Sequence, residues 1–455
     1  MIGGLGNVGK VPELRNRILF TLGMLAIYRM GVFVSTPGID VVELRKMFDT
    51  GDGTLFGLIN MFSGGSLENF SVFTLGIMPY ISVSIIVQFI TPVFPALEAL
   101  KKEGAAGQRV LTRYIRQGTI ALALFQGFMI ARGLQLNSAL VLNPGPAFIL
   151  STMITLTAGT AFIMWLGEQI SERGIGNGMS IIIFAGIVAR MPRTFVELLA
   201  KMRVGEIHPL TIMVLLIVTV AVVMGIVYVE RSYRKIPLQY PRASRMVAKD
   251  VGIPQHLPFK VNSAGVIPPI FASALLMLPA TVGQFFVNDP DNPRELLQDL
   301  LGYLAPGGWL YETLYVALII LFAFYYTATI TNPVEIADNL KKNGAFVPTV
   351  RPGKETAEYL YGVLNRLTFW GGIYLAIICV VPQVLYTKLG AQSFAYVFGG
   401  TAVLIAVGVT LDTASQIQSH LIARNYEAFM SKSAKGGRGG GIGSMGYMRQ
   451  RILKR

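Results

Sequence analysis

Ten apolar segments recur along the chain, separated by polar, charged or glycine-rich stretches. Each is long enough to cross a bilayer as a helix, which takes roughly 20 mostly apolar residues. The pattern predicts an all-α polytopic membrane protein with ten transmembrane helices and both termini on one side. The predicted spans are 18–35, 71–92, 113–133, 147–168, 179–195, 209–229, 262–287, 311–331, 367–387 and 394–415.

The second span, Ser71 to Pro92, carries no charge but contains several polar or helix-breaking residues. An unpaired polar group in hydrocarbon costs several kcal/mol, so this helix should turn one side toward protein or water. The residues in question are Pro79, Ser82, Ser84 and Gln88.

A short apolar piece, Leu55 to Phe62, precedes this span and is followed by the break Ser63 to Ser66, which contains two glycines. A half-helix and a glycine break before a full span are unusual in a simple membrane anchor. Irregular backbone at membrane depth is tolerated only where protein or an aqueous cavity surrounds it. The piece is therefore either a functional re-entrant segment or a turn packed for stability alone.

The composition agrees with a membrane protein. Of the 455 residues, 53% are hydrophobic and only 14% are charged, whereas soluble proteins average about 25% charged residues. The formal net charge is +14, and roughly three quarters of the lysines and arginines fall on the side of the termini. We therefore expect both termini in the cytoplasm, together with two long basic loops, 231–260 and 333–366, and a glycine-rich basic tail, 431–455, that is too polar to fold alone.

One pattern occurs twice. The sequence G-x-x-P-x-I begins at Gly76 in the second span and at Gly265 in the seventh, and each is the second span of a group of five. Because five is odd, the two groups would insert with opposite orientation, as in an inverted-topology repeat. The sequence thus predicts an N-terminal half, 1–200, and a C-terminal half, 201–430.

Catalytic and metal-binding patterns were not found. Cys379 is the single cysteine, and the three histidines are far apart and not at ligand spacing. The glycines of Glu172 to Gly178 lack the lysine of a phosphate loop and indicate a tight turn instead. We therefore expect no enzyme activity, no cofactor and no metal.

A secondary solute transporter remains the main alternative, because inverted repeats are common in that class. Ion-coupled carriers place ionisable groups within their spans, and here the span centres hold isoleucine instead. Isoleucines there either pack against lipid and core or form a hydrophobic constriction that gates by dewetting. The pattern alone leaves both open for Ile77, Ile81, Ile85, Ile183, Ile270 and Ile405.

Several runs, taken together and in order, resemble the SecY family, the channel subunits of the bacterial Sec translocon. They span nearly the whole chain, and their combination is far more specific than any one of them. They are NMFSGG at 60–65, GIMPYIS at 76–82, ERGIGNG at 172–178, SIIIFAG at 180–186, GVIPPIFA at 265–272, NLKKNGAFVPTVR at 339–351 and FGGT at 398–401.

The resemblance implies a clamshell of two inverted halves, hinged between the fifth and sixth spans, around a channel for unfolded secretory polypeptides. Spans two and seven would form a lateral gate that releases hydrophobic segments into lipid, with Ser82, Ser84 and Gln88 facing Asn262 and Ser263. Three groups of residues match the family's sites. The pore ring is Ile77, Ile81, Ile183, Ile270 and Ile405; the plug, about 55–69, is Leu58, Asn60, Met61, Phe62, Ser63, Gly64 and Gly65; the lateral gate is Pro79, Ser82, Ser84, Gln88, Asn262, Ser263 and Pro268.

The resemblance also implies partners and a location. The chain would lie in the bacterial cytoplasmic membrane with the SecE and SecG subunits, and would receive signal sequences and nascent chains among the membrane lipids. The SecA motor or the ribosome would supply the energy and dock on the basic loops, where arginine suits both ribosomal RNA phosphates and carboxylates. The candidate docking residues are Arg351, Lys341, Lys342, Arg242 and Arg245.

Overall fold

The computed structural model describes residues 12–44, 63–135, 140–239, 256–276 and 308–436. These form a helical protein with one small two-stranded sheet. In chain order the helices are α1 (Pro12–Gly31), α2 (Met78–Ile90), α3 (Pro95–Lys102), α4 (Ala105–Gln135), α5 (Pro146–Arg173), α6 (Gly178–Arg203), α7 (Pro209–Glu230), α8 (Ile267–Leu276), α9 (Trp309–Ile330), α10 (Pro333–Lys342), α11 (Lys354–Lys388), α12 (Gln392–Phe398) and α13 (Gly400–Gly436). The strands are β1 (Tyr233–Pro237) and β2 (His256–Lys260).

Among the described residues, six helical segments are long and apolar enough to cross a membrane. Helices α2 and α3 together would make a seventh, although they meet at a bend of 100°. The remaining predicted spans coincide with α1, α4 and α8, which are shorter or more charged. The chain is thus a helical, multi-span membrane protein, and the described helices follow the predicted order.

Local sequence explains several helix boundaries. A proline stands within the first two positions of α2, α3, α5, α7 and α10, where its missing N–H costs nothing because that group would be unpaired anyway. The tight turn predicted around Glu172 to Gly178 is confirmed, since α5 ends at Arg173 and α6 begins at Gly178. Asn177 caps α6 by accepting hydrogen bonds from the backbone N–H groups of Met179 and Ser180.

The second predicted span starts late. Helix α2 begins only at Met78, and the residues from Ser63 to Ile77 form successive turns instead of a helix. The Ser71 hydroxyl accepts the N–H of Phe73, and Gly76 has a φ of +56°, a conformation that a helix cannot continue. Apolarity alone had predicted a helix from residue 71, because the length of an apolar run does not reveal such local competition for backbone groups.

The main apolar core joins both halves of the chain. Buried side chains of α1, α2, α5 and α6 pack in one cluster with buried side chains of α7, α8, α9, α11 and α13. Two smaller cores lie apart from it, one around Leu156 within the first half and one around Tyr386 beside α6. Both halves therefore contribute to a single apolar centre.

A fourth core lies in the two predicted basic loops. Strands β1 and β2 pair in antiparallel register, with Tyr233 opposite Lys260 and Pro237 opposite His256. Gln239 exchanges two backbone hydrogen bonds with Phe346, at 2.8 and 3.0 Å, which ties the first loop to the second. We call residues 233–239, 256–260 and 333–364 the platform; its buried core is Ile236, Leu238, Phe259, Val347, Leu360 and Leu364.

Two helices run beyond their predicted ends. Helix α11 starts at Lys354 instead of 367 and spans 35 residues, so its first turns belong to the platform. Helix α13 continues to Gly436, whereas the tail was predicted to be unfolded from residue 431. The rest of the tail, 437–455, lies outside the described residues.

Candidate functional site

The five isoleucines predicted to line a constriction all belong to the main apolar core. Ile77, Ile81, Ile183 and Ile405 are buried, and Ile270 is partly buried against the same cluster. They come from α6 and α13, from α2 and the residue preceding it, and from α8, so both halves contribute. None of the five is among the exposed large hydrophobic residues.

Helix α2 separates its isoleucines by direction. Ile77, Ile81 and Ile85 recur every fourth residue and are 3%, 7% and 5% exposed, whereas Ile86 and Ile90 are 45% and 37% exposed. Residues four apart share one helix face, so one stripe of the helix faces the centre and another faces outward. The same residue type thus occupies two environments on one helix.

The glycine break after the predicted half-helix packs against α1 and α6. The Tyr28 hydroxyl donates to the Ser63 carbonyl at 3.3 Å, and Arg29 donates to the Gly64 carbonyl at 2.9 Å. A methyl group on Gly64 would come within 2.8 Å of the Gly186 Cα atom of α6. Only glycine permits this approach, and the φ of +67° at Gly64 adds a second reason.

An ionic network holds the following residues to α6. Glu68 accepts hydrogen bonds from Arg190 at 2.6 Å and from Arg193 at 2.8 Å, and Arg193 also pairs with Glu197 at 2.9 Å. The side chains of Glu68 and Arg190 are only 14% and 20% exposed, whereas that of Arg193 is 60% exposed. Together with Tyr28 and Arg29, this Glu68 network fixes the segment 63–68 onto α1 and α6. The predicted plug residues Leu58, Asn60, Met61 and Phe62 lie outside the described residues.

Helices α2 and α8 begin in the same way. Gly76 and Gly265 each stand two residues before the first helical residue, with φ values of +56° and +65°. Pro79 and Pro268 each occupy the second helical position and are buried. The repeated sequence pattern therefore corresponds to a repeated local conformation.

The polar groups predicted to pair across α2 and α8 make other contacts. Asn262 donates to Glu230 at 2.5 Å and to the Gly265 carbonyl at 3.0 Å, and Ser263 donates to the Lys260 carbonyl. On α2, Gln88 donates to the Ser84 hydroxyl within the same helix. No hydrogen bond joins Ser82, Ser84 or Gln88 to Asn262 or Ser263 in this structure: Gln88 bonds within its own helix, and Asn262 bonds α7 and the start of α8.

The contact from α2 to the second half goes instead to α9. The Tyr325 hydroxyl donates to the Gln88 carbonyl at 2.7 Å, and the Tyr325 ring stacks on Phe89 with centroids 4.0 Å apart. Phe89 also meets Phe322 edge-on at 5.4 Å, and Phe322 meets Phe271 of α8 at 6.0 Å. Aromatic side chains therefore connect α2, α8 and α9.

The candidate docking residues of the platform are exposed. Lys341 and Lys342 end α10, and the Arg351 side chain is 88% exposed with only a 3.9 Å contact to Glu355. Arg234 and Lys235 of β1 are exposed on the same platform. Arg242 and Arg245 lie outside the described residues.

A family model described as SecY matches residues 71–414, about three quarters of the chain. The chain belongs to the SecY family. Curated relatives agree over nearly full length. The protein translocase subunit SecY of Vibrio cholerae is 46% identical over 428 residues, covering 93% of this chain and 95% of the relative. Those of Escherichia coli K12 and Thermus thermophilus are 45% and 42% identical and cover at least 94% of each chain.

Solved structures share the SecY-family fold. A structure described as a protein conducting channel superposes with a TM-score of 0.64, covering 89% of this chain and 92% of its own, at 16% sequence identity. Two further structures give a TM-score of 0.63 and cover 89% of this chain and 92% of their own. One concerns the plug domain of the SecY protein, and the other is Sec61 in the canine ribosome–channel complex. These likenesses, at 16% to 18% identity, support the fold alone.

Several contact residues of this SecY-family chain were not found from the sequence. Tyr28, Glu68 and Tyr325 each bond a group on a distant part of the chain, separated by 35, 122 and 237 residues. Spacing along a helix cannot reveal such partners. For Glu68, the available signal was an acidic residue close to a glycine break. For Tyr325, it was a pair of adjacent tyrosines, Tyr325 and Tyr326, within an apolar span.

Proposed function

We propose that the chain is the channel-forming subunit of a protein translocase, through which unfolded polypeptides cross the membrane and apolar segments pass sideways into lipid. The observation that carries this proposal is the convergence of isoleucines from both halves in one apolar core, in a chain of the SecY family. Its relatives, which are named protein translocase subunit SecY, support the same function.

The isoleucine cluster, Ile77, Ile81, Ile183, Ile270 and Ile405, would close the passage at rest. Branched aliphatic side chains around a narrow waist disfavour a continuous column of water or ions. They can still move apart around a passing chain, because apolar contact is not directional. The burial of four of the five supports a closed state.

The segment 63–68 would belong to the base of a plug that covers the waist, and α2 with α8 would form the lateral gate. The bonds from Tyr28, Arg29, Arg190 and Arg193 support a fixed base. The matching starts of α2 and α8 support two gate helices related by an inverted repeat of ten spans.

The platform would receive the energy-supplying partner. Its exposed cations suit the phosphates of ribosomal RNA and the carboxylates of a motor protein. Canine Sec61 and yeast Ssh1, which share the fold, were solved bound to ribosomes. The proposal includes the ribosome or the SecA motor at the platform, SecE and SecG as further subunits, and a platform and termini that face the cytoplasm. We infer no enzyme activity, so the energy for transport comes from these partners.

Crosslinking an arrested secretory chain tests the proposal. Single cysteines replace Ile81 and Ile270, and a chain stalled during transport carries a photo- or thiol-reactive probe. We expect both positions to label the stalled chain, because both side chains lie in the central apolar core. Ile86→Cys is the matched control, since Ile86 lies on the same helix but is 45% exposed on the outer face.

Two outcomes contradict the proposal. If neither Ile81→Cys nor Ile270→Cys labels the stalled chain, the polypeptide does not pass through the central core. Labelling at Ile86 as strong as at Ile81 places the polypeptide outside the central core. The alternative, a solute carrier, predicts no polypeptide adduct at any of the three positions.

A further inference from the structure

One backbone carbonyl at the end of α2 cannot be satisfied by its own helix. In an α-helix, the carbonyl of Gln88 would accept the N–H of residue 92. That residue is Pro92, which has no N–H. The preceding N–H, on Thr91, bonds the Val87 carbonyl at 2.9 Å. The sequence thus leaves the Gln88 carbonyl open to an outside donor.

The outside donor comes from the other half of the chain. The Tyr325 hydroxyl of α9 donates to this carbonyl at 2.7 Å, while its ring stacks on Phe89 at a centroid distance of 4.0 Å. The interplanar angle is 18°, so the hydrogen bond and the stacking act together. We call Gln88, Phe89, Pro92 and Tyr325 the gate contact.

We propose that Tyr325 is a specificity-determining residue of the lateral gate: its hydroxyl closes the gate by bonding the carbonyl that Pro92 leaves without an N–H. The inference rests on the proposed function, because a gate contact selects substrates only in a channel that opens sideways. Helix α9 packs on the gate helix α8 through Phe322 and Phe271, so a segment that parts α2 from the α8–α9 pair must replace this bond and the aromatic stack with its own apolar contacts. Tyr325 therefore sets how apolar a segment must be to enter lipid.

The size of the effect follows from the environment. Hydrogen bonds between membrane helices are modest, and removal of one shifts a two-state equilibrium by roughly three- to tenfold. A shift of this size lets weakly apolar segments pass without leaving the gate permanently open. Tyr325→Phe removes the hydroxyl and keeps the ring on Phe89, so it isolates the hydrogen bond.

Spin labels measure the gate directly. Cysteines at Ile86 and Leu321, which are 45% and 54% exposed, carry the labels in the full chain reconstituted in lipid vesicles, and the distance distribution reports open and closed populations. We expect Tyr325→Phe to raise the ratio of open to closed by roughly three- to tenfold. Tyr326→Phe is the control, because residue 326 lies about 100° around the helix from Tyr325.

Pro92→Ala tests the origin of the contact. It restores an N–H that competes with Tyr325 for the Gln88 carbonyl, so it should also raise the open population in the parent chain. In the Tyr325→Phe background it should add nothing, because the two changes act on one carbonyl. An unchanged distance distribution in Tyr325→Phe, or an equal change in Tyr326→Phe, overturns the proposal, as does full additivity of Pro92→Ala and Tyr325→Phe.

A transport assay separates this proposal from the proposed function. Secretory chains with signal segments of graded apolarity are presented, with the SecA motor and ATP, to vesicles that also contain SecE and SecG, and Tyr325→Phe should pass weaker segments than the parent. If the gate widens but the weaker segments still fail, Tyr325 does not set selectivity and the proposal is wrong. If the parent chain passes no polypeptide while the gate still widens, the proposed function fails and the contact stands.

Discussion

At the scale of single residues, glycine decides where two backbones of the site come into contact. The break at Gly64 and the glycine at Gly186 bring the segment 63–68 against α6. Gly400 serves the same purpose elsewhere, since a methyl group there would lie 1.5 Å from the Ile378 carbonyl of α11. This contact gives the FGGT run a physical reason, close packing of α13 on α11, that the sequence alone did not supply.

Gly64→Ala should loosen the segment 63–68, the proposed plug base. The new methyl group would lie 2.8 Å from the Gly186 Cα atom. The alanine must also adopt a φ of +67°, which costs an L-residue about 1–2 kcal/mol before any clash. We expect a higher resting ion conductance in planar bilayers and a lower thermal midpoint.

Gly205→Ala is the matched control for this substitution. Its φ is +82°, but no heavy atom lies within 4 Å of the added methyl group. It therefore carries the backbone cost without the contact. Equal conductance in the two variants would mean that the approach of Gly64 to Gly186 does not seal the channel.

How far the sequence predicts individual residues depends on how local their partners are. Helical spacing predicts that Ile77, Ile81 and Ile85 share one face, and only their burial shows that this face turns inward; the place of Asn177 directly before a helix predicts its capping role. Arg190 lies within α6, but its partner Glu68 lies 122 residues away. Only the folded chain brings those two charges together.

At the scale of elements, apolar length predicted the order of the helices but not their ends. Helix α2 is shortened by the turns before Met78, and α11 is lengthened by the platform. The strands were missed because 18 residues separate Pro237 from His256, so no short turn marked a hairpin. Alternation of apolar residues was the available signal, with Ile236 and Leu238 in and directly after the first strand, and Leu257 and Phe259 in the second.

Glu68→Gln should weaken the attachment of the segment 63–68 to α6. It removes the charge that pairs with Arg190 and Arg193, so the largely buried guanidinium of Arg190 keeps at most a hydrogen bond to a neutral amide oxygen. For a partly buried pair the cost lies between the values for exposed and buried bridges, roughly 1–3 kcal/mol. We expect more frequent openings of the resting channel in single-channel recordings.

Two further variants grade this effect. Arg193→Gln should matter less than Arg190→Gln, because the Arg193 side chain is 60% exposed and the Arg190 side chain 20%. Glu206→Gln is the control, since its 3.9 Å contact with Lys201 is mostly exposed. If Glu206→Gln opens the channel as often as Glu68→Gln, the change is a general charge effect and the network has no special role.

At the scale of the whole molecule, the sidedness of the positive charge is the strongest sequence-based prediction. The platform carries exposed Lys341, Lys342 and Arg351. The loop after α6, at the end of that helix away from Asn177, is predicted to lie on the other side of the membrane. The two-half organisation was inferred from one repeated pattern. The matched backbone at Gly76 and Gly265 gives that inference a structural counterpart.

Labelling from each side of the membrane tests the orientation. Lys342→Cys should react with an impermeant maleimide only from the cytoplasmic side, and Val204→Cys, which replaces an 84% exposed side chain, only from the opposite side. The parent chain serves as the control, because Cys379 is completely buried and should not react. Labelling of both positions from one side would disprove the predicted odd number of crossings between the α6–α7 loop and the platform.

Helix α11 has a mechanical consequence. Its 35 residues measure about 52 Å at 1.5 Å per residue, well beyond the roughly 30 Å of bilayer hydrocarbon. The same rod begins in the platform, where Leu360 and Leu364 are buried, and ends beyond Tyr386, buried in another core at the far end. A load applied to the platform therefore passes along one helix to the core around Tyr386, and Pro382, which removes one backbone hydrogen bond near the far end, is the place where that helix can bend.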